Sequence, residues 1–488
     1  MSEELELKFI VEDPAAARAW MDHRLGISEP WQTIQIIDRY FDTADLALSV
    51  AGYGARLRQM GRQTLITVKS DIEVVGGLHR REELEAPAAR ALDPVKWPES
   101  DARTRVLEVV GARRLIERFR VEQERHEVEA AVDGALVVAS MDEGDVWAAG
   151  RLVGSLRQLE IELRSGDETV LRGLADEITA ASIGVAEPRS KLAIALSMVA
   201  AAEKIQPTDT MAAAGRLVLR RQLLRMLERE SAARTGDPLA IKQMRVATRR
   251  MRAAWRVFGD AYQKRSRRRY VAELRRVADA LGEVRDLDVL LAGLPDDEAL
   301  APLAEAWRQR RALAHARLMT LLYDSTYEKF VADYLDFTSA PGAGLDNGAS
   351  PTTMAQAATT ELIGGADAIR AAATAVFANG DDEAWHTLRI GSRRLRYSVE
   401  QLREQIGESA ATAAIANLVR IQDCLGAMND AAVAANEAES WLAAHPHARL
   451  TTKGAIRSYV TAQHDAITRL RGEFAPIWQE ASGLFTER

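Results

Sequence analysis

The sequence predicts an α+β chain of two unlike parts, an antiparallel β-rich N-terminal region and an all-helical C-terminal one. Three observations carry this. Charged and apolar residues alternate along Glu4-Leu5-Glu6-Leu7-Lys8 and along several later segments up to about residue 165, the period of a strand. From about residue 210 onward alanine, leucine, arginine and glutamate dominate, and no strand signal recurs. Within that second region two motifs repeat at a single offset of 144 residues, which marks a duplicated helical unit.

The elements follow in order. Residues 1–10 read as a strand. Pro14–Leu25 reads as a helix, capped by Asp13 and opened by Pro14. Residues 32–42 and 53–86 read as strands, the latter broken by a turn at Gly61 and again at Gly76-Gly77. Pro94 and Pro98 mark a loop, and 101–110 a short helix. Strands resume over 113–130, 134–139, 145–148 and 154–164, and Thr169–Ala181 is helical by its apolar spacing. Hairpins without βαβ alternation give an antiparallel sheet, open or closed; periodicity does not choose between them. Lys204–Asp209, with Pro207, is the linker, and helices fill the remainder. Ser339–Pro351, rich in glycine and alanine, separates the two copies.

At 488 residues the chain has room for two to four domains. Its single cysteine, Cys424, excludes an internal disulfide framework and suits a reducing cytosol, where it reads as a small buried residue. The acidic N-terminus lacks a signal-peptide pattern, and no stretch has the apolar length of a membrane span. The net charge of −7 conceals an asymmetry. Residues 1–205 hold 26 basic and 36 acidic side chains, whereas 216–276 hold 19 basic and 5 acidic. That segment is a strong local positive field, suited to a polyanion.

In the first region, side chains two apart share a face, so Glu4, Glu6 and Lys8 point one way and Leu5, Leu7 and Phe9 the other. Two carboxylates about 7 Å apart, followed by an ammonium, suit a divalent metal and its bound phosphate. A solvated outer face is the ordinary alternative. What favours chemistry is recurrence: Arg56 and Arg58, then Lys69, then Arg81 with Glu83 and Glu85, then Arg118 and Arg120, then Glu160 and Glu162. Acidic and basic rows sorted onto different strands make sense if they face each other across a closed sheet.

In the second region, Lys242-Gln-Met-Arg245-Val-Ala-Thr-Arg249-Arg250-Met-Arg252 matches His386-Thr-Leu-Arg389-Ile-Gly-Ser-Arg393-Arg394-Leu-Arg396. Leu281-Gly282 through Asp286 likewise matches Leu425-Gly426 through Asp430. At about 100° per residue, Lys242, Arg245, Arg249, Arg252 and Arg256 share an arc of roughly 80°, opposite Met244, Met251, Trp255 and Phe258. His386, Arg389, Arg393 and Arg396 form the same stripe in the second copy. No acidic residue neutralises either stripe from within; a merely solvated helix mixes its signs.

Glu4-x-Glu6-x-Lys8, Tyr40-Phe41-Asp42-Thr43, Arg56-x-Arg58, Thr67-Val68-Lys69, Arg81-x-Glu83-x-Glu85, Glu160-x-Glu162 and Ser190-Lys191, in this order, resemble the CYTH domain, the triphosphate tunnel metalloenzyme fold. The repeated helical motifs resemble the CHAD domain. The resemblance implies a closed β-barrel tunnel with flanking helices over residues 1–203. It implies two four-helix bundles over 210–485, with copies at about 210–338 and 352–485. It further implies Mg²⁺- or Mn²⁺-dependent hydrolysis of inorganic triphosphate. Arg56, Arg58, Lys69, Arg81, Arg118, Arg120, Lys8 and Lys191 would hold phosphate, with Lys191 near the tunnel mouth. Glu4, Glu6, Glu160 and Glu162, with Asp142 as a further candidate, would hold metal. Arg125 would face inward only past a bulge or turn, having the opposite parity to Arg118 and Arg120. The CHAD stripe would bind inorganic polyphosphate, with Asp286 and Asp430 orienting its arginines or serving as ordinary caps and surface partners. Lys242 replaces the first of the family's paired histidines, leaving His386 alone, which weakens any role needing both. A cytoplasmic protein associated with polyphosphate granules fits this picture.

Three alternatives stand beside it: a polyphosphate-docking protein without turnover, a hydrolase or cyclase acting on an organic triphosphate, and a nucleic-acid surface. The last is disfavoured, because the stripe lacks interleaved aromatics for stacking and amides for reading bases.

Overall fold

The computed structural model describes residues 2–27, 30–70, 73–75, 78–340, 342–345 and 353–482; within these, the side chains of 2–4, 73–75, 78–82, 356, 357, 379 and 482 lie outside the description. The chain divides into two compact units, Met1–Lys204 with Ser339–Pro341, and Ile205–Thr338 with Gly342–Arg488.

The first unit comprises β1 (Ser2–Ile10), α1 (Pro14–Leu25), β2 (Gln32–Asp42), α2 (Ala47–Val50), β3 (Tyr53–Met60), β4 (Gln63–Ser70), β5 (Glu73–Val75), β6 (Leu78–Pro87), α3 (Asp101–Val110), β7 (Ile116–Val132), β8 (Ala135–Ala148), β9 (Arg151–Ser165), α4 (Thr169–Ala180), β10 (Val185–Ala186) and α5 (Lys191–Ala202). Every pairing is antiparallel, in the order β10-β1-β9-β8-β7-β2-β3-β4-β6-β5. β1 also pairs with β6, from Ser2↔Glu83 to Glu6↔His79, while its second half pairs with β9, from Glu6↔Glu162 to Ile10↔Gln158.

Local chemistry sets the ends of these elements. The Asp13 carboxylate accepts from the Ala15 and Ala16 amides at 3.0 Å each and starts α1 at Pro14. Ser100 caps α3, and Ser190 caps α5 by accepting from the Ala193 amide. The apolar half of the alternation is buried under helices. Leu7, Phe9, Met141, Leu159 and Ile161 lie beneath α1 and α4, and Phe41, Leu57, Ile66 and Val68 beneath α2 and α3. Each such side chain contributes about 1.5–3 kcal/mol. A one-residue slip of any of these strands would forfeit its whole set, so their parity is firmly fixed.

Two findings depart from the sequence reading. The strands expected at 134–139 and 145–148 are one strand, β8. The polar Asp142-Glu143-Gly144 between them faces no turn; Gly144 is required because a Cβ there would stand 2.5 Å from the Gln123 Cβ on β7. And α5 was not anticipated. Its Ile194 and Ala195 pack on Tyr40, Phe119, Val121, Val146 and Leu156, so part of the sheet's charged face is apolar.

The second unit is helical: α6 (Met211–Arg234), α7 (Pro238–Phe258), α8 (Lys264–Ala292), α9 (Ala301–Leu322), α10 (Ser325–Ser339), α11 (Met354–Asn379), α12 (Asp382–Gln401), α13 (Arg403–Ile406), α14 (Glu408–Ala444) and α15 (Leu450–Ser482). α7 packs on α6 and α8 as α12 packs on α11 and α14, and α7 and α12 touch each other. The apolar stripe of α7 enters an aromatic core in which Trp255 stacks with Tyr270 and Phe337 and donates to the Tyr334 hydroxyl at 2.7 Å. Leu388 and Leu395 of α12 enter a separate core with Leu418, Ile421 and Phe474. Cys424 is buried there and has its thiol pushed up by burial, as befits an inert residue. No helix among the described residues is long and apolar enough to cross a membrane.

Candidate functional site

The polar face of the first unit's sheet lines a cavity of about 1580 Å³. Strand parity puts the side chains there. Glu6 and Lys8 come from β1, Arg56 and Arg58 from β3, Thr67 and Lys69 from β4, Glu83 and Glu85 from β6, Arg125 and Glu127 from β7, and Glu160 and Glu162 from β9; Lys191 enters from the first turn of α5. Acids of β1 and β9 thus share one space with cations of β3 and β4.

Most of these charges are held by another. Lys8 Nζ lies 2.8 Å from Glu6 and 3.6 Å from Glu160. Arg125 donates to both oxygens of Asp142 at 2.7 and 2.6 Å and to Glu160 at 2.8 Å. Lys191 Nζ lies 2.6 Å from Asp142 and donates to Gln123 Oε1 at 3.3 Å. Lys69 pairs with Glu83 at 2.8 Å. Asp38 of β2 lies beneath the basic wall, taking two 2.8 Å bonds from Arg58 and one of 3.3 Å from Arg56. Burial alone would raise the Asp38 carboxyl, but Arg56 and Arg58 outweigh it and hold it well below the carboxylate range. Glu160 is depressed the same way: burial opposes, while Lys191, Lys8 and Arg125 prevail. Arg125 is raised, its desolvation outweighed by Asp142 and Glu160.

The structure revises several expectations. Arg118 and Arg120 do not line the cavity. Arg118 sits at a register shift between β7 and β2, where Tyr40 pairs with Phe119 and Phe41 with Glu117; Arg120 lies on the β7 face whose even-numbered continuation, Val128, Ala130 and Val132, packs beneath the outer helices, and it pairs with Glu122 at 2.7 Å. The inward row is Phe119, Val121, Gln123 and Arg125, so Arg125 reaches the cavity with no bulge between it and Arg120. Asp142, a candidate metal ligand, has both oxygens occupied by Arg125, and Lys191 sits on one of them. Lys191, expected near a mouth, is 5% exposed. Glu4 and Arg81 are register partners on β1 and β6, but their side chains, like Gly76-Gly77 and most of the loop between copies, lie outside the described residues. Asp38 and Gln123 were missed. The buried counter-charge at Asp38 did have a signal, since it shares strand parity with Tyr40 in a segment read as β.

Among the described residues no three acidic or imidazole groups converge as a metal cage. Glu6 and Glu162 are, however, direct cross-strand partners. Like charges placed so repel, and two carboxylates completed by substrate oxygens and water match what Mg²⁺ takes from a protein. The donor set therefore fits such an ion.

In the second unit the basic stripes of α7 and α12 converge. Arg249 Nε donates to the Tyr397 hydroxyl at 2.7 Å, and Arg245 lies 3.5 Å from Asp286. Burial pushes Arg393 down, and Arg389 and Arg249 add to it; burial also lowers Arg389, Arg252 and Arg256. Among the described residues none of these four has an ion pair. Asp430 acts on Arg389 only through its field. Arg396 lies 3.8 Å from Glu400 and its guanidinium covers the Tyr397 ring. Lys242 lines a neighbouring groove on the α6 side of α7, and His386 is exposed.

Against known proteins, the family model described as CYTH domain matches residues 2–192, and the one described as CHAD domain matches residues 217–439. An uncharacterized protein of Mycobacterium tuberculosis is 26% identical over 424 residues, 81% of this chain and 81% of its own. The CHAD domain of the plant Ricinus communis aligns with a TM-score of 0.49 at 20% identity, covering 59% of this chain and 96% of that one. HpAC1 from Hippeastrum, described as having a dominant triphosphatase activity, aligns with a TM-score of 0.32 at 19% identity, covering 40% of this chain and 95% of that one.

Proposed function

From a chain that carries a CYTH domain over residues 2–192 followed by a CHAD domain over residues 217–439, we propose a cytoplasmic hydrolase of inorganic triphosphate whose second domain binds inorganic polyphosphate. The observation that carries the reading is the sorting of charge inside one cavity: Glu6, Glu160 and Glu162 on β1 and β9 against Arg56, Arg58 and Lys69 on β3 and β4. The circuit of pairings β1-β9-β8-β7-β2-β3-β4-β6 and back to β1 supports reading that cavity as a closed tunnel.

Phosphoryl transfer to water asks a protein mainly for positioning and charge neutralisation, so no nucleophilic side chain is needed. Arg56 and Arg58, planted on Asp38, would fork around phosphate oxygens, with Lys69 beside them. Arg125 and Lys191, locked on Asp142, would fix the deeper end, and Lys8 would bridge phosphate and carboxylates. Glu4, Glu6 and Glu162, with Glu160, would hold one or two divalent ions. When bound, such an ion supplies Lewis-acid neutralisation of phosphate charge. With no substrate present these cations are neutralised by carboxylates, and a triphosphate would displace the carboxylates from Lys8 and Lys69.

In the second domain, the 144-residue offset places Arg245 with Arg389, Arg249 with Arg393, and Asp286 with Asp430. This supports two related bundles presenting one shared basic face. Unpaired guanidiniums on it suit a flexible polyanion. A deposit of polyphosphate in the cytoplasm would be a natural place for both activities. The test is phosphate release by the purified chain from inorganic triphosphate, ATP and long polyphosphate with Mg²⁺ or Mn²⁺. Fastest release from triphosphate, lost in Glu6→Gln, is expected; no release with either metal would reduce the first domain to a binding module.

A further inference from the structure

A second recess in the helical unit has a different chemistry from the basic stripes. It lies between α6, α7 and the segment joining α12 to α14, with a volume of about 780 Å³, within the range of small-molecule sites. Its floor is apolar: Val218, Val246, Ala247 and Ile415. Its lining carries Arg225, Lys242, Arg250 and Arg403 interspersed with four glutamates, Glu400 and Glu408 among them. On α7, Val246 and Arg250 sit about 60–100° around the helix from Arg249, so the recess opens beside the stripe and shares only Lys242 with it.

Its polar groups are incompletely satisfied. Arg225 has no ion pair among the described residues; burial, with Arg250 and Arg221 adding, pushes it down against the fields of Glu228 and Glu400. Arg250 gives one nitrogen to Glu400 at 3.0 Å and Arg403 one to Glu408 at 2.7 Å, yet the Nε of each is buried without a partner. Two amide oxygens are orphaned as well: Gln401 Oε1, and Oε1 of Gln222, a residue 7% exposed. The Gln401 amide is oriented by its own Nε2, which donates to the Arg250 carbonyl at 3.3 Å, so the oxygen is the end left over. Buried orphans of this kind are destabilising until a partner satisfies them.

An inorganic phosphate chain satisfies only half of this. It offers acceptors to the guanidiniums, but no donor to the glutamine oxygens and nothing to cover the valines. A ligand with two or more phosphates, N–H or O–H donors and an apolar ring satisfies all three. We propose that this recess is a binding site for an organic phosphate of the nucleoside di- or triphosphate class, separate from the first unit's cavity and from the arginines of the basic stripes. The phosphates would lie along Arg225, Arg250 and Lys242, the donors at Gln222 and Gln401, and the ring on Val218 and Val246.

Calorimetry with ATP on the full chain carrying Arg56→Glu, which disables the first cavity, tests this. ATP should bind with one-to-one stoichiometry. Adding Arg225→Glu should weaken it at least tenfold, and adding Val246→Trp, which fills the floor and leaves every charge, should do the same. Arg389→Glu should leave it unchanged. Inorganic triphosphate should bind at least tenfold more weakly than ATP and be indifferent to Val246→Trp. Absence of ATP binding in the Arg56→Glu chain overturns the proposal, as does loss through Arg389→Glu in place of Arg225→Glu. Equal affinity for ATP and triphosphate overturns the organic-ligand assignment. Should Arg225→Glu fail to fold, Val246→Trp decides alone. Each of these results bears on the recess, while phosphate release by the Arg56-intact chain reports independently on the tunnel.

Discussion

Replacing Asp38 with asparagine would ask whether a buried charge holds the cavity's arginines in place. Asp38 is fully buried and accepts two bonds from Arg58 and one from Arg56. Asparagine keeps the shape and one acceptor, but removes the charge and turns an N–H toward a guanidinium. The Arg56 and Arg58 side chains are only 11% and 12% exposed, so water cannot take over the lost role. Breaking a buried pair from one side costs about 3–5 kcal/mol, against about 0–1 for a surface pair. Hydrogen–deuterium exchange at the β2 and β3 amides reads this locally, which matters because two units need not unfold together. Amides that exchange through opening of this sheet should speed up by roughly 100- to 1,000-fold or more, the same energy expressed as a rate ratio. The pH dependence carries a sign. The folded Asp38 carboxyl is held below its usual 3.8, so its contribution is complete above that value and is lost as pH falls through the depressed one. The gap between parent and variant should therefore be flat from about pH 5 to about pH 8 and narrow in acid. A gap under about 1 kcal/mol at neutral pH, or one that widens in acid, would refute the reasoning.

Glu6→Gln should lower phosphate release from triphosphate by at least about 100-fold, as expected when a metal's charge neutralisation is lost, while a gel-shift assay shows polyphosphate binding unchanged. Gly54→Val tests the seating of α5, since a Cβ at Gly54 would stand 2.5 Å from Leu192 Cδ2. It should cost about 1–3 kcal/mol in thermal denaturation and raise KM by drawing Lys191 off Asp142. Arg245→Glu combined with Arg389→Glu should weaken polyphosphate binding and flatten its dependence on log salt by about 1.4 or more, two contacts at about 0.7 each for a single-stranded polyanion. Phosphate release from triphosphate should be unaffected in that double variant.

Alternation made much of the first unit legible. Leu5, Leu7 and Phe9 against Glu6 and Lys8 is a pattern that fixes both the strand and its buried side, because apolar burial punishes a slip. The α/β contrast between halves and the stripe on α7 were legible for the same reason: period and amphipathicity are local. What failed was the assumption that polar parity always faces the cavity. Along β7 the inward positions begin with Phe119 and Val121, because α5 occupies that end of the interior, and polarity returns only at Gln123 and Arg125. No local pattern announces a helix arriving from residues 191–202. Asp142-Glu143-Gly144 misled in the opposite direction, as a polar run ending in glycine resembles a turn. Its glycine answers to crowding by a side chain 21 positions earlier in the chain, at Gln123.

The arrangement of β1 bears on how this protein emerges from the ribosome. The strand made first is bonded along one half to β6 and along the other to β9. Its two-sided partnership must wait until residues 158–162 have left the exit channel. Until then a nascent chain exposes an unpaired strand edge, a template for intermolecular pairing, and contacts of such sequence separation form slowly. Glu6 meets Glu162 only at that step, so the paired carboxylates exist only once β9 has been synthesised.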